Sequence, residues 1–178
     1  MRQIARALGL AILVLVMTAS RPFAQTVSIQ AEMLKDWSDL KATMDKIAAE
    51  MPEDKYGFKS TPAQRSYAEQ VLHVALINAR FFTMLGGKAP VPTIDPKTTG
   101  KAAVIKAMDD TFDYGTAYLK GQTDQTLLQG VEKPPGFLGP STHARMFTFL
   151  IGHTWDIYGQ MAVYLRLNGG VPPASQRP

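Results

Sequence analysis

The stretch Met33–Met51, "MLKDWSDLKATMDKIAAEM", predicts an amphipathic helix and with it the fold. Its large apolar residues are separated by 4, 3, 4, 3 and 4 positions, the spacing of side chains on one helix face. These residues are Met33, Trp37, Leu40, Met44, Ile47 and Met51. Charged residues occupy the opposite face, and Pro52 follows where a helix can no longer continue. Because a one-sided apolar helix has to bury that side, we expect partner helices.

Three further segments have helical patterns: Thr61–Leu85, Thr99–Lys120 and about Ser141 to Asn168. For the first of these, Thr61 suits the N-cap and Gln64 can complete a capping box. Four long helices without a strand pattern predict an all-α four-helix bundle. The connections between helices two and three and between helices three and four are long. The second of them either lies over a site or is a plain surface crossover.

The first 24 residues predict a secretory signal peptide. Arg2 and Arg6 form the basic start, Ala7–Met17 is unbroken apolar, and we expect cleavage after Ala24, with Ser20 as the alternative. An uncleaved membrane anchor is the other interpretation. The domain division is then residues 1–24 as signal and 25–178 as bundle, with a periplasmic or secreted location and no membrane attachment after cleavage.

Charge and cysteine content exclude several classes of function. The chain has 19 basic and 15 acidic residues, but three arginines fall in the signal, which leaves 16 against 15. A near-neutral mature chain gives nucleic-acid binding no support. Cysteine is absent, which excludes disulfides, thiolate ligands and a cysteine nucleophile. We expect a small-molecule ligand as partner; homodimers are common among bundles, although no specific interface signal is present.

The chain has three histidines: His73, His143 and His153. Ten residues along one helix are a rise of roughly 15 Å, so His143 cannot share an ion with His153, and we expect it near the surface. His73 and His153 can meet if helices two and four are neighbours, and Asp156, one turn after His153, can face the same ion. His73, His153 and Asp156 therefore predict a three-ligand site for zinc, nickel, iron or manganese. The alternative is a core histidine held by a hydrogen bond.

Two long segments resemble the DinB-like (damage-inducible, YfiT-like) family. They are Met51–Phe82, "MPEDKYGFKSTPAQRSYAEQVLHVALINARFF", and Gly152–Pro173, "GHTWDIYGQMAVYLRLNGGVPP". The resemblance covers nearly the whole mature chain and implies a four-helix bundle. It also implies a metal held by one histidine of the second helix and two of the fourth, spaced His-x-x-x-His. His73 and His153 match the first two ligands, and the third position is Ile157, so the resemblance implies a degenerate histidine triad.

What the resemblance implies about activity is a divalent-metal-dependent enzyme. Several family members are thiol transferases that act with low-molecular-weight thiols, and one is an isomerase that uses such a thiol. We therefore consider a hydrolase or a thiol-transferase-like activity, with Tyr158 and Gln160 orienting the substrate. Export argues against thiol transfer, because small-thiol cofactors are mostly cytosolic.

The alternative hypothesis is a non-catalytic bundle that binds a small apolar ligand or a protein partner where relatives hold metal. The residues expected to line such a pocket are Phe81, Phe82, Trp155 and Ile157. The alternative for each of them, which the composition of any bundle interior favours, is an ordinary core position.

Overall fold

Four long helices and one short one make up the computed structural model, which describes residues 27–176. The helices are α1 (Ile29–Glu50), α2 (Tyr67–Leu85), α3 (Lys101–Lys120), the short α4 (Asp124–Leu127) and α5 (His143–Leu167). Within the described residues the β pairing is a single isolated bridge, between Gly130 and Thr142. The predicted all-α four-helix bundle is thus confirmed. The predicted signal peptide, residues 1–24, lies outside the described part.

The start of α2 differs from the prediction. The helix begins at Tyr67 rather than Thr61, and its capping box is formed by Ser66 and Glu69 rather than by Thr61 and Gln64. The Ser66 side chain accepts from the Glu69 backbone N–H at 3.2 Å, and the Glu69 carboxylate accepts from the Ser66 N–H at 2.5 Å. Both tetrapeptides fit the capping pattern, but only the second has a negative charge for the positive end of the helix dipole.

The other helix ends agree with the sequence prediction within two residues, except that α1 begins at Ile29, four residues before the first apolar residue of the predicted stretch. The α3 helix starts at Lys101 after Gly100, and α5 starts at His143 with Thr142 as its N-cap. At the end of α2, Gly86 has φ 67°, a left-handed conformation that glycine adopts without strain. None of the helices in residues 27–176 is both long and apolar enough to cross a membrane.

The long helices are not arranged as two hairpins. The α1 and α2 helices each pack mainly against α3 and α5, so that α1 and α2 occupy opposite corners of the bundle. The neighbours α2 and α3 run in the same direction, because Asn78 bonds to Thr111 at 3.3 Å and, seven residues on, Leu85 bonds to Tyr118 at 3.5 Å. Residues 86–100 must therefore return along the bundle, which explains the length of this connection.

The core centres on Trp37, where all four long helices meet. Its indole lies 4.6 Å from the ring of Phe112, 5.5 Å from that of Phe147 and 6.0 Å from that of Phe82. The indole N–H donates to the Phe112 carbonyl at 2.9 Å, which fixes the ring. Space is tight, because a Cβ at Gly115 would lie 2.7 Å from Trp37. All six apolar residues predicted on the inner face of α1 are buried, as expected.

Candidate functional site

Two histidines from neighbouring helices face each other inside the bundle. His73 lies in the middle of α2 and His153 in the middle of α5. Their Nε2 atoms are 3.2 Å apart, with ring centroids 5.1 Å apart and ring planes at 61°. The prediction that these two imidazoles point at each other is confirmed. We call them the histidine pair.

The separation within the histidine pair suits one shared metal ion. With bonds of about 2.05 Å, two nitrogens 3.2 Å apart subtend an angle of about 103° at the ion, close to tetrahedral. Imidazole binds metal only when neutral. Burial, followed by Arg65 and by the partner ring, lowers the pKa of His73 to about 4. Burial also lowers the pKa of His153, against the raising effect of Asp156. Both rings are therefore neutral at pH 7.

The surroundings of His153 fit a metal less well. Its Nδ1 is buried and has no hydrogen-bond partner within residues 27–176. A metal-binding histidine usually donates its second ring N–H to a carbonyl, a carboxylate or water, which fixes the ring. Here the ring is held by packing, with Phe149 stacked on it at 6.0 Å and Phe81 stacked on Phe149 at 4.9 Å.

The predicted third ligand, Asp156, is exposed one turn after His153 and belongs to a separate series of side-chain hydrogen bonds. Its carboxylate accepts from the Gln160 amide at 3.0 Å, and the Gln160 carbonyl accepts from the Gln70 amide at 2.8 Å. Across the described part of the chain, no group of three or more His, Cys, Asp or Glu side chains is placed to hold an ion. The structure thus supplies two nitrogen ligands, and Asp156 as the third stays a prediction.

Ile157, at the position where the resemblance implies a histidine ligand, is buried with 2% of its surface exposed. Its side chain has no atom that can bind a metal. The residues present therefore fit two of the three implied positions directly, and a third ligand would have to come from Asp156.

The two residues predicted to orient a substrate differ in their contacts. Gln160 belongs to the series of side-chain hydrogen bonds that links Asp156, Gln160 and Gln70. Tyr158 is buried, packs against Trp155 at 5.4 Å, and accepts the Ala174 backbone N–H at 3.1 Å, so it attaches the C-terminal segment to α5. These contacts give Tyr158 a packing role. Substrate orientation by Tyr158 or Gln160 stays a prediction.

The residues expected to line the apolar pocket of the alternative hypothesis lie in different surroundings. Phe82 is in the core beside Trp37, whereas Trp155 is 44% exposed on the outer side of α5. Phe81 reaches the histidine pair through Phe149. Phe149 was not among the predicted pocket residues. Its position four residues before His153 places it on the same helix face and could have indicated the contact.

His143 is not the surface residue that we expected. It is half-buried at the start of α5, and its Nδ1 lies 2.5 Å from the Tyr118 hydroxyl. Burial lowers the pKa of this imidazole as well. The hydroxyl of a tyrosine on α3 satisfies the ring, a contact that periodicity cannot reveal.

A cavity of about 360 Å³ opens beside His73, and no sequence pattern predicts it. It lies between α2 and the connections on either side of that helix. The residues that line it include Lys59, Arg65, Glu69, Leu72, His73 and Leu76.

Comparison with known proteins gives a consistent family and fold. Residues 37–161 match the family model of the DinB superfamily. No curated protein matches the chain. A DinB-like protein from Bacillus cereus ATCC 10987 has a similar structure, with TM-score 0.65 and 17% identity over 79% of this chain and 93% of that one.

Two structures from Bacillus subtilis are similar to the same degree. The DinB-like protein YjoA has TM-score 0.62 and 17% identity over 83% of this chain and 99% of its own. YfiT, described as a probable metal-dependent hydrolase with an unusual four-helix bundle topology, has TM-score 0.62 and 15% identity over 79% of this chain and 88% of its own. At such identities the likeness shows the fold alone.

Proposed function

This chain belongs to the DinB superfamily, and from that premise we propose that it is a divalent-metal-dependent hydrolase whose ion is held by His73, His153 and Asp156. The observation that carries the proposal is the 3.2 Å separation of two neutral Nε2 atoms on neighbouring helices. Zinc, nickel, iron and manganese are the ions that such nitrogen and oxygen ligands accept.

Each residue has a defined task in this proposal. His73 and His153 present their Nε2 lone pairs, which burial keeps unprotonated at neutral pH. Asp156, one turn after His153, would hold the ion with its carboxylate, which in the structure accepts from the Gln160 amide. Gln160, bonded to Gln70, would then be available to orient a substrate. When bound, a divalent ion lowers the pKa of a water molecule and so supplies a nucleophile at neutral pH.

Hydrolysis is preferred to thiol transfer for two reasons. The structurally similar YfiT is described as a probable metal-dependent hydrolase, and we propose the same type of reaction for this chain. We also propose that the chain is exported to the periplasm or secreted, where small-thiol cofactors are scarce. Fractionation of cells and mass determination of the mature N-terminus test the export: a full-length cytosolic protein would contradict it.

Titration of zinc into purified protein, followed by calorimetry, tests the metal site. We expect one ion per chain, loss of binding in His73→Ala and in His153→Ala, and weaker binding in Asp156→Ala. His143→Ala is the matched control, because this histidine lies outside the pair and should leave zinc affinity unchanged. A folded wild-type chain that binds neither zinc nor nickel would refute the proposal.

A second candidate function is a non-catalytic bundle, and the burial of Ile157 at the implied ligand position favours it. In that case the His73–His153 contact is a structural hydrogen bond in which one Nε2–H donates to the other Nε2. The variant Ile157→His separates the two functions. Zinc binding by the variant but not by the wild type supports the non-catalytic bundle, whereas binding by both supports the enzyme.

A further inference from the structure

We propose that the cavity beside His73 binds a small organic anion, a carboxylate or phosphate with a short apolar portion, through the Arg65 guanidinium. This inference rests on the proposed function for the reaction and extends it by naming the class of substrate. Binding of the anion itself does not depend on the metal.

The charge of the cavity wall favours an anion. Lys59 and Arg65 contribute two positive charges, and Glu69 contributes one negative charge. The Lys59 ammonium lies 3.3 Å from the Glu69 carboxylate, so that pair is largely neutral. Glu69 stays ionised, because the Ser66 backbone N–H bonds to it and lowers its pKa. One positive charge, that of Arg65, is left over in the wall.

Arg65 is held in place by its backbone while its side chain stays free. Its carbonyl accepts from the Tyr164 hydroxyl at 2.8 Å, which anchors this residue to α5. Its guanidinium forms no ion pair or side-chain hydrogen bond with any residue between 27 and 176. Guanidinium groups present a planar pair of donors that matches a carboxylate or a phosphate, and such charge-assisted bonds are the stronger kind.

Besides the charged residues, Gln64 and His73, the cavity wall consists of apolar residues that suit a hydrocarbon portion. Leu72 and Leu76 lie one turn apart on α2, and Pro62 and Pro96 come from the connections on either side of that helix. A volume of about 360 Å³ is within the range of small-molecule sites. A ligand whose anionic group contacts Arg65 can therefore lay a short chain along these residues, next to His73.

The position of His73 connects the cavity to the proposed chemistry. The same imidazole lines the cavity and belongs to the histidine pair. The charge of Arg65 reaches both rings, since it contributes to lowering the pKa of His73 and of His153. An anion bound at Arg65 would thus place its neighbouring bonds beside the pair.

Binding measured in the presence of EDTA tests the anion site without any metal. The probes are hexanoate, hexyl phosphate and the neutral analogue hexanamide, titrated into the full chain and followed by NMR. We expect at least one of the two anions to bind about tenfold tighter than hexanamide, and Arg65→Gln to abolish that difference. The control Arg80→Gln, an exposed arginine two turns beyond His73 on α2, should leave it intact.

The outcomes separate this inference from the metal proposal. Equal binding of the anions and the amide, no binding of any probe, or an unchanged preference in Arg65→Gln would overturn the anion site. A zinc titration of Arg65→Gln should still show one ion per chain, bound no more weakly than in the wild type, because the variant removes a positive charge that acts on both rings. Preference for anions with no zinc binding keeps the anion site and removes the hydrolase, whereas zinc binding without anion preference does the reverse.

Discussion

Replacing His73 by glutamine should make the stability of the protein less sensitive to acid. Burial lowers the pKa of His73 from 6.5 to about 4 in the folded chain. The unfolded chain therefore takes up a proton first, and the free energy of unfolding falls as the pH falls from about 6.5 towards 4.

The size of this effect follows from the two pKa values. A group whose pKa is 6.5 in the unfolded chain and about 4 in the folded chain lowers the free energy of unfolding by about 2 kcal/mol when the pH falls from 7.5 to 5.0. His73 is only half-buried, so screening by solvent reduces this to roughly 1 kcal/mol. Glutamine cannot take up the proton, and its amide can still bond to His153. Over this pH range, the free energy of unfolding of the variant should therefore fall by about 1 kcal/mol less than that of the wild type.

Urea unfolding at pH 7.5, 6.0 and 5.0, with EDTA in every buffer, measures the difference. Arg80→Gln serves as the control, because it removes an exposed charge from the same helix without altering the histidine pair. A loss in His73→Gln as large as that of the wild type would show that His73 keeps an ordinary pKa, and it would refute the neutral pair on which the metal proposal depends.

Further substitutions test the packing and the helix cap by thermal or urea unfolding. Gly115→Ala should destabilise by about 1–3 kcal/mol, because its Cβ would lie 2.7 Å from Trp37 in a filled core; Gly159→Ala, where a Cβ meets nothing within 4 Å, should instead stabilise by up to about 1 kcal/mol. Equal effects would contradict the packing around Trp37. Ser66→Ala should cost about 1 kcal/mol, whereas Thr61→Ala should change stability by less than about 0.5 kcal/mol. A larger loss of stability in Thr61→Ala than in Ser66→Ala would instead indicate that α2 starts at residue 61.

The helices were predictable because their signals are local. The spacing of apolar residues from Met33 to Met51 specifies one buried face, and Gly86 specifies a helix end, without reference to the remaining chain. The predicted start of α2 was wrong because two capping patterns lie five residues apart. Only the tertiary contacts of the preceding segment select one of them. The backbone N–H of Tyr67 donates to the Phe58 carbonyl at 3.0 Å, which fixes where the turn ends and the helix begins.

Only those parts of the site that are marked by a single unusual residue could be predicted from the sequence. A histidine in the apolar middle of each of two helices signals a buried role, and this identified His73 and His153. Their surroundings depend on which side chains arrive from elsewhere. Gln70 and Gln160 meet across two helices, and Arg65 reaches the cavity through a turn. Hydrophobic periodicity carries no information about such meetings.

The placement of α1 and α2 at opposite corners has a consequence for the order in which the chain acquires its structure. As the polypeptide leaves the ribosome, these two helices emerge first, but neither is the other's main packing partner. The α5 helix, which supplies Phe147 to Trp37, comes last. We therefore expect nascent chains that end before residue 143 to remain open and protease-sensitive, with cooperative closure only after the final long helix has been synthesised.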